Sequence, residues 1–333
     1  MAKYAVIISA LIGFIVSGVL GYALIPLLRR LKFGQSIKEI GPNWHKNKQG
    51  TPTMGGFMFI IGTVAALIIG LFITSSSSTQ SLFNMQMIAG VLMALAFGAI
   101  GFMDDYVKVV RKRNLGLTAG QKSMMQLLIS IVYLATLYMM GNHRTTILVP
   151  FTDLNLNLGL FYYPFMIFII VGFVNAVNLT DGIDGLAGSI TLVVGAFFII
   201  GAKLFAYDDV SIVAAALAGS CMGFLIWNFH PAKVFMGDTG SMFLGGMVCA
   251  LAFGMNMPLL LLPVGIIYIV ETFSVILQVI SFKTTGKRIF KMSPIHHHFE
   301  MSGWQEVKIV AVFTTITLLT SIATIVWLIL YRN

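Results

Sequence analysis

Apolar residues dominate this chain in long runs that are separated by short polar segments. Each run extends over about 20 residues, which is the length an α-helix needs to cross the hydrocarbon core of a bilayer. The pattern therefore predicts ten membrane-spanning helices and an all-α polytopic fold. The approximate limits of the runs are 4–28, 54–73, 85–103, 124–141, 161–179, 186–204, 210–228, 242–257, 259–281 and 307–330.

The ninth run is irregular. Pro258 and Pro263 lie near its outer end, and a proline removes one helical hydrogen bond and can bend the helix. Glu271 lies in the middle of the same run. It is either the partner of a buried basic or polar group or part of a lined cavity, and both interpretations are compatible with function.

Composition places the chain among integral membrane proteins. Hydrophobic residues make up 58% of it, charged residues only 10%, and the mean hydropathy is +0.91. Soluble domains carry roughly 25% charged residues. The helices use most of the 333 residues, so we expect one membrane domain over 1–333. Cys221 and Cys249 lie inside apolar runs and are expected to be core residues, not a disulfide or a metal pair.

Basic residues are distributed unevenly between the two sides of the predicted membrane domain. Most of the 21 lysines and arginines fall in the loops that follow the odd-numbered runs. The positive-inside rule then places both termini outside and these loops in the cytoplasm. In this setting the net charge of +9 indicates topology and an anionic lipid or substrate, and we expect no nucleic acid partner.

The stretch Asn175–Gly188, Asn-Ala-Val-Asn-Leu-Thr-Asp-Gly-Ile-Asp-Gly-Leu-Ala-Gly, ends the fifth run with two amides and two carboxylates. Carboxylates are costly inside a bilayer, so they usually mark function or a water interface. The glycines at 182 and 185 would let the backbone turn. Asp181 and Asp184 would share one face if the segment stayed helical. A polar linker between two helices is the alternative, but two further carboxylate clusters on the same side favour a functional site.

These further clusters are Asp104-Asp105 and Asp238. Neighbouring helical residues point about 100° apart, so one aspartate of the pair could face a cavity while the other holds a lysine. Acidic pairs are also common at membrane interfaces, and the pair alone does not prove a site. Asp238 stands between glycines ahead of an apolar run, which suits a carboxylate aimed at a ligand.

Two more stretches add candidate chemistry on this side. His296, His297 and His298 are consecutive, so they do not share a helix face and a zinc site built from all three is not expected. Phosphate contacts or loop-ordering hydrogen bonds are the better interpretation. The stretch 48–56 combines a lysine, hydroxyls and glycines, as phosphate-binding loops do, without a Walker signature. Carboxylates that recruit Mg²⁺, together with lysines, are typical of sites for diphosphate substrates. The membrane setting suggests that the second substrate is a lipid.

In these motifs the chain resembles the phospho-N-acetylmuramoyl-pentapeptide transferases, which make lipid I for peptidoglycan. The matching stretches are 48–56, 104–105, 175–188, 228–241 and 293–300, in order and over nearly the whole chain. The resemblance implies transfer of phospho-N-acetylmuramoyl-pentapeptide from UDP-N-acetylmuramoyl-pentapeptide to undecaprenyl phosphate. It also implies release of UMP, a need for Mg²⁺, a location in the bacterial cytoplasmic membrane, an active site at the cytoplasmic face and a homodimer.

The resemblance also implies roles for individual residues. Asp238 would bind Mg²⁺, and Asp104, with Asp105 beside it, would be the base or a carboxylate on the phosphate side. The expected nucleotide-pocket residues are Asn175, Asn178, Asp181 and Asp184. Further site positions are Lys48, Thr53, Lys122, Asn228, Phe235, His296, His297 and His298.

Two other functions are compatible with parts of this pattern. A related enzyme that transfers an N-acetylhexosamine-1-phosphate to a polyprenyl phosphate would share the aspartate motifs, but the stretch Ser-Pro-Ile-His-His-His-Phe-Glu argues against it. A secondary transporter or lipid flippase would share the ten spans, but its charged residues should lie near the membrane midplane. Here they lie at the cytoplasmic ends of the predicted helices.

Overall fold

A computed structural model describes residues 2–31, 48, 50–75, 84–110 and 116–332 of the chain. The structure is mostly helical, with 78% of the residues in helices. Several basic residues of the predicted cytoplasmic loops lie outside the described residues, namely Lys32, Lys38, Lys46, Arg111, Lys112 and Arg113.

Each predicted apolar run contains a helix in the described residues, and one short helix over residues 295–300 lies outside the runs. The first six are α1 (Ala2–Arg30), α2 (Gly56–Ser75), α3 (Met85–Val110), α4 (Ala119–Met139), α5 (Tyr162–Thr180) and α6 (Leu186–Leu204). The second six are α7 (Asp208–Asn228), α8 (Gly237–Gly254), α9 (Leu261–Val264), α10 (Ile266–Thr285), α11 (Ile295–Glu300) and α12 (Glu306–Arg332).

Eight helices of the described chain are long and apolar enough to cross a membrane. They are α1, α3, α4, α5, α6, α7, α10 and α12. The remaining predicted spans correspond to α2 and to α8, which begins with the polar sequence Gly-Asp-Thr-Gly-Ser. The protein is therefore a polytopic helical membrane protein, and the total of ten spans stays a prediction.

The irregular ninth run is broken into pieces, as its prolines predicted. A 3₁₀ turn, Pro258–Leu260, leads into the short α9, and α10 starts only after Gly265. Phe173 and the carbonyl of Leu261 fill the space that a Cβ at residue 265 would need. Glycine is therefore required where the helix axis changes.

A β-hairpin was absent from the sequence prediction. Residues 146–157 form a small antiparallel hairpin between α4 and α5, in which Thr146 pairs with Asn157 and Leu148 with Asn155. The strands are β1 (Thr146–Leu148) and β2 (Asn155–Asn157). Strands this short have too few alternating positions to give a period-two signal, and they leave the fold class unchanged.

The centre of the bundle is formed by α7 and α8. Every residue of α8 from Thr239 to Phe253 is buried, and α8 packs against α3 and α5 while α7 packs against α1 and α6. Gly101 of α3 approaches the carbonyl of Asp238 so closely that a Cβ would not fit. This contact brings the acidic end of α3 against the start of α8. Cys221 and Cys249 are buried free thiols in this core, as predicted.

Candidate active site

The start of α8 is held by the carboxylate of Asp105. One carboxylate oxygen accepts a hydrogen bond from the Asp238 amide at 3.2 Å, and the other accepts from the Thr239 amide and hydroxyl at 2.9 and 2.7 Å. The amides in the first turn of a helix have no partner within the helix, and a carboxylate there also suits the helix dipole. Asp105 is thus an N-terminal cap that reaches α8 from α3, and it fixes the direction of Asp238.

The second aspartate of the pair has other partners. Asp104 Oδ1 accepts a hydrogen bond from the Leu117 amide at 2.8 Å, and its Oδ2 lies 2.5 Å from Lys108 Nζ. Lys108 follows Asp104 by four residues, one turn along α3. The sequence expectation that one member of the pair would hold a lysine is therefore met by Asp104.

Asp238 is the point at which α3, α4, α5 and α8 meet. Its Oδ2 lies 3.2 Å from Lys108 Nζ and 2.8 Å from Lys122 Nζ. Its Oδ1 accepts a hydrogen bond from Asn178 Nδ2 at 3.0 Å. Thr118 starts α4 with a capping box, which sets Lys122 on the first turn of that helix. We call Asp104, Asp105, Lys108, Lys122 and Asp238 the Asp238 cluster.

The charge balance of the Asp238 cluster favours an ionised Asp238. Burial alone would raise the pKa of this carboxyl, but the nearby charges of Lys122 and Lys108 outweigh burial and hold the pKa well below its usual range. Asp238 is therefore an anion at any physiological pH. Its side chain keeps 21% exposure, so a ligand can reach the carboxylate.

Asn175 lies one turn deeper in the bundle than Asn178 and contacts a different partner. Its side-chain amide forms a reciprocal pair with Gln126, with bonds of 2.8 and 3.2 Å. Gln126 follows Lys122 by one helical turn, so the pair joins α4 to α5 beneath the contact between Lys122 and Asp238. Asn175 was expected in a nucleotide pocket; here its amide fixes two helices that carry cluster residues.

Residues 181–185 form a turn and not a helix. Asp181 and Asp184 therefore do not share one helix face. Gly185 has φ +78°, a left-handed conformation that favours glycine, and α6 begins immediately after it. Burial raises the pKa of Asp181, and the charges of Asp238, Asp105 and Asp184 raise it further. The negative charges of the Asp238 cluster therefore act on Asp181. Among the described residues, no basic side chain lies within salt-bridge distance of it.

Asp184 belongs to a second group of charges. Lys48 Nζ lies 2.7 Å from Asp184 Oδ1 and 2.6 Å from Glu306 Oε2. His230 Nδ1 and the Ala232 amide lie 3.1 and 3.0 Å from Asp184 Oδ2. We call Lys48, Asp184, His230 and Glu306 the Lys48 cluster. Sequence reasoning did not select His230 and Glu306, although His230 lies within the matching stretch 228–241.

Other predicted site residues support these loops through their own contacts. The buried amide of Asn228 accepts from the Gly185 amide at 3.1 Å and donates to the Val234 carbonyl at 2.9 Å. The Phe235 amide donates to the Pro52 carbonyl at 2.8 Å, while the Phe235 side chain is only half-buried. Thr53 Oγ1 and Asp105 together fill the space beside Gly237, which has φ +70°.

The three histidines point to three different partners. His296 is completely buried, with Nδ1 3.1 Å from Glu271 Oε1. His297 Nδ1 lies 2.6 Å from Glu300 Oε2, and His298 Nδ1 accepts from the Lys291 amide at 3.1 Å. The His298 contact is a loop-ordering hydrogen bond of the kind expected.

Two groups of described residues bring metal-ligating atoms within 4.8 Å of one another. Both groups already hold basic side chains: Lys48 lies between Asp184 and Glu306, and Lys108 and Lys122 contact Asp238. In the Asp238 cluster, Asp105 is used as a helix cap, while Asp238 is ionised and accessible and Asp181 lies nearby. Carboxylate oxygens of this kind suit Mg²⁺, so the Asp238 cluster is the better candidate for a metal.

Fold and site together define a class of protein: a polytopic helical membrane protein with carboxylates and lysines gathered at one end of its helices. Residues 87–256, about half of the chain, match the family described as Glycosyl transferase family 4. This segment contains all five residues of the Asp238 cluster and the turn 181–185.

Similarity to individual proteins is higher and extends over almost the whole chain. A protein of Halalkalibacterium halodurans and one of Bacillus subtilis are each 47% identical over 332 residues, covering 98% of this chain and all of theirs. A protein of Clostridium botulinum is 51% identical over 320 residues, covering 95% of this chain and 94% of its own. All three are named phospho-N-acetylmuramoyl-pentapeptide-transferase. This chain belongs to that family.

Proposed function

We propose that this protein transfers phospho-N-acetylmuramoyl-pentapeptide from its UDP carrier to undecaprenyl phosphate, which yields lipid I and UMP for peptidoglycan synthesis. The observation that carries the proposal is the 47% identity to enzymes of this name over 98% of the chain. An oxygen of the lipid phosphate forms a bond to the phosphorus next to the sugar. The bond from that phosphorus to the UMP oxygen breaks, and UMP leaves with its electron pair.

The main difficulty of this reaction is electrostatic, because a phosphate must approach a diphosphate. At 4 Å, two unit charges repel by about 4 kcal/mol at an effective dielectric constant of 20. Lys108 and Lys122, both within 3.2 Å of Asp238, are positioned to attract substrate oxygens and lower this repulsion. Asp104, next to Lys108, is the proposed base or phosphate-side carboxylate.

The residues present fit a role for Mg²⁺. Asp238 is ionised and partly exposed, and Asp181 is a nearby carboxylate without a basic partner among the described residues. We propose Asp238 as the principal ligand. When bound there with substrate phosphates, Mg²⁺ would neutralise charge on the diphosphate and on the leaving UMP. Asn178 donates to Asp238 at 3.0 Å and holds that carboxylate in place.

We propose that the nucleotide lies on the turn 181–185 and that the lipid lies along α9 and α10. A long isoprenoid chain needs a lateral opening at bilayer depth, and the break at Gly265 supplies a discontinuous helix at which one can form. The lipid head would then lie near Asp104. The bacterial cytoplasmic membrane, a cytoplasmic site and a homodimer are further parts of the proposal, supported by the family resemblance.

The test is mass spectrometry of the lipid product made by the purified protein. UDP-N-acetylmuramoyl-pentapeptide and undecaprenyl phosphate should give a lipid whose mass has grown by one phospho-N-acetylmuramoyl-pentapeptide unit, with one UMP released per lipid. Transfer from UDP-N-acetylhexosamine instead would indicate the related hexosamine-1-phosphate transferases. Counterflow in vesicles without any new lipid would indicate a transporter, and either result would overturn the proposal.

A further inference from the structure

Glu271 and His296 form a fully buried polar pair between α10 and α11. Both side chains have 0% exposure, and Glu271 Oε1 lies 3.1 Å from His296 Nδ1. The backbone amide of His296 also approaches the other carboxylate oxygen at 3.5 Å. A buried carboxylate and a buried imidazole are costly unless they have partners. Among the described residues, this is the one contact within 4 Å that joins either side chain to a titratable group of the opposite type.

The imidazole of His296 supports the turn that carries Asp181 and Asp184. A Cβ at residue 182 would fall on the His296 ring, first on Nε2 and Cε1. Gly182 does not have a positive φ, so backbone conformation does not explain the glycine. The close approach of the ring explains it, because the ring edge packs directly against the backbone of the turn.

His296 differs in this respect from its two neighbours. His297 and His298 find partners within the segment 291–300, whereas His296 reaches a carboxylate 25 residues away in α10. The pair therefore forms a continuous line of contact from α10, through the ring, to the backbone at Gly182. Any shift of the ring would move the turn.

We propose that Glu271 is a positioning residue for substrate binding: it holds the His296 ring, and the ring holds the turn 181–185 in its binding conformation. The inference rests on the proposed function, which assigns this turn to the nucleotide. It gives Glu271 an indirect role, since its carboxylate is buried away from the substrates. Its effect should appear in the binding of the UDP substrate and not in that of the lipid.

The experiment compares Glu271→Leu with Glu271→Gln in the purified full-length enzyme. Leucine keeps the volume and removes both carboxylate contacts with His296, whereas glutamine keeps an oxygen that can accept from the His296 amide. Glu271→Leu should raise the KM for the UDP substrate at least about tenfold, the effect of losing one buried hydrogen bond to a charged group. The kcat and the lipid KM should stay within about threefold of wild type, and Glu271→Gln should restore the KM.

A second readout does not depend on turnover. Hydrogen–deuterium exchange of a peptide covering residues 181–186 should be faster in Glu271→Leu and normal in Glu271→Gln. Gly182→Ala displaces the same ring from the other side and should give the same faster exchange, which keeps the test available if Glu271→Leu does not purify. Tyr268→Phe is the matched control. It breaks a buried 2.7 Å hydrogen bond to Thr191 one turn earlier in α10, and its KM and exchange should be those of wild type.

Three results would overturn the inference. The first is a wild-type KM and wild-type exchange in Glu271→Leu. The second is an equal defect in Glu271→Gln, which would mean that the polar contacts of the side-chain oxygen do not hold the ring. The third is a loss confined to kcat. If the wild-type protein makes no lipid product, the proposed function fails, but the exchange comparison still decides whether Glu271 positions the turn.

Discussion

The carboxylate of Asp181 is placed where an isolated anion is unfavourable. Burial and the charges of three other aspartates raise its pKa, and among the described residues no cation lies close enough to compensate. A raised pKa means that the folded protein binds this proton more tightly than the unfolded chain does. The contribution of Asp181 to stability therefore declines as the pH rises through the raised pKa. Binding residues often carry such a cost.

Replacing this residue should separate stability from function. Asp181→Asn removes the unfavourable charge, so we expect the Tm at neutral pH to rise by about 2–4 °C, the shift that about 1 kcal/mol produces in a chain of roughly this size. Activity should fall steeply because the UDP substrate loses a contact. The difference in Tm should shrink at low pH, where wild-type Asp181 is protonated. Thermal unfolding at several pH values, with Asp153→Asn at an exposed site as control, measures this; a lower Tm at neutral pH would contradict it.

Asp238 and Asp104 should respond differently to loss of charge. Asp238→Asn keeps the shape and a hydrogen-bond acceptor for Asn178, but it should abolish turnover at ordinary Mg²⁺ concentrations. Asp104→Asn should reduce the rate by about 10²–10⁴ if the residue acts as a general base, with an unchanged Mg²⁺ requirement. Initial rates across a Mg²⁺ titration of monodisperse proteins test both. A wild-type Mg²⁺ dependence in Asp238→Asn would move the metal role to Asp181.

At the level of elements, α8 depends on a cap supplied by another helix. Helix N-caps usually come from the residue just before the helix, whereas Asp105 reaches the amides of residues 238 and 239 from α3. The same carboxylate fixes the packing of α3 on α8 and the orientation of Asp238. Asp105 was predicted as catalytic, and its contacts indicate that it acts through Asp238.

Removal of this cap should lower both the stability of the protein and its turnover rate. We expect Asp105→Ala to destabilise the protein by about 0.5–2 kcal/mol and to slow turnover, while Asp105→Asn retains part of both. Asp209→Ala is the matched control, because Asp209 accepts from the Val210 amide at 2.8 Å at the other end of α7 from Asn228. It should lower the Tm without changing the rate. A stable, slow Asp105→Ala enzyme would instead indicate direct catalysis.

Helices were predictable from the sequence because each one has its own apolar signal. The runs 186–204 and 210–228 match α6 and α7 to within two residues. The glycines at 182 and 185 marked a turn correctly. The hairpin at 146–157 was missed because its strands have three residues each, too few for a periodic signal.

At the level of the whole molecule, contacts between distant segments could not be predicted. The sequence around Lys48 does not indicate that Lys48 will form an ion pair with Glu306. The sequence around Asn175 does not indicate that its side-chain amide will form hydrogen bonds with Gln126. The aspartates, asparagines and histidines were selected as a set, but their division into an Asp238 cluster and a Lys48 cluster depends on how the helices pack. Sequence patterns identify which residues are candidates for the site, whereas the residues that each of them contacts are known only from the tertiary structure.

The sidedness of the molecule remains a prediction that can be tested directly. The hairpin lies at the opposite end of α4 and α5 from Lys122 and the turn 181–185, so it should be outside if the site is cytoplasmic. An impermeant maleimide should label Asp153→Cys in intact cells. It should label Lys287→Cys, exposed near α11, only after permeabilisation. The two native cysteines are buried, so the wild-type protein serves as the unlabelled control. Labelling of Lys287→Cys from outside would reverse the topology.

The ion pair between Lys48 and Glu306 joins parts of the chain that are 258 residues apart. Glu306 begins α12, so a ribosome makes it after the other three residues of the Lys48 cluster. Until that residue has been synthesised, Lys48 and the amide of Asp184 lack the carboxylate that both of them bind. During biosynthesis, a chain that has been made only as far as α11 would therefore still carry an incomplete Lys48 cluster, and the synthesis of residue 306 would supply the missing partner.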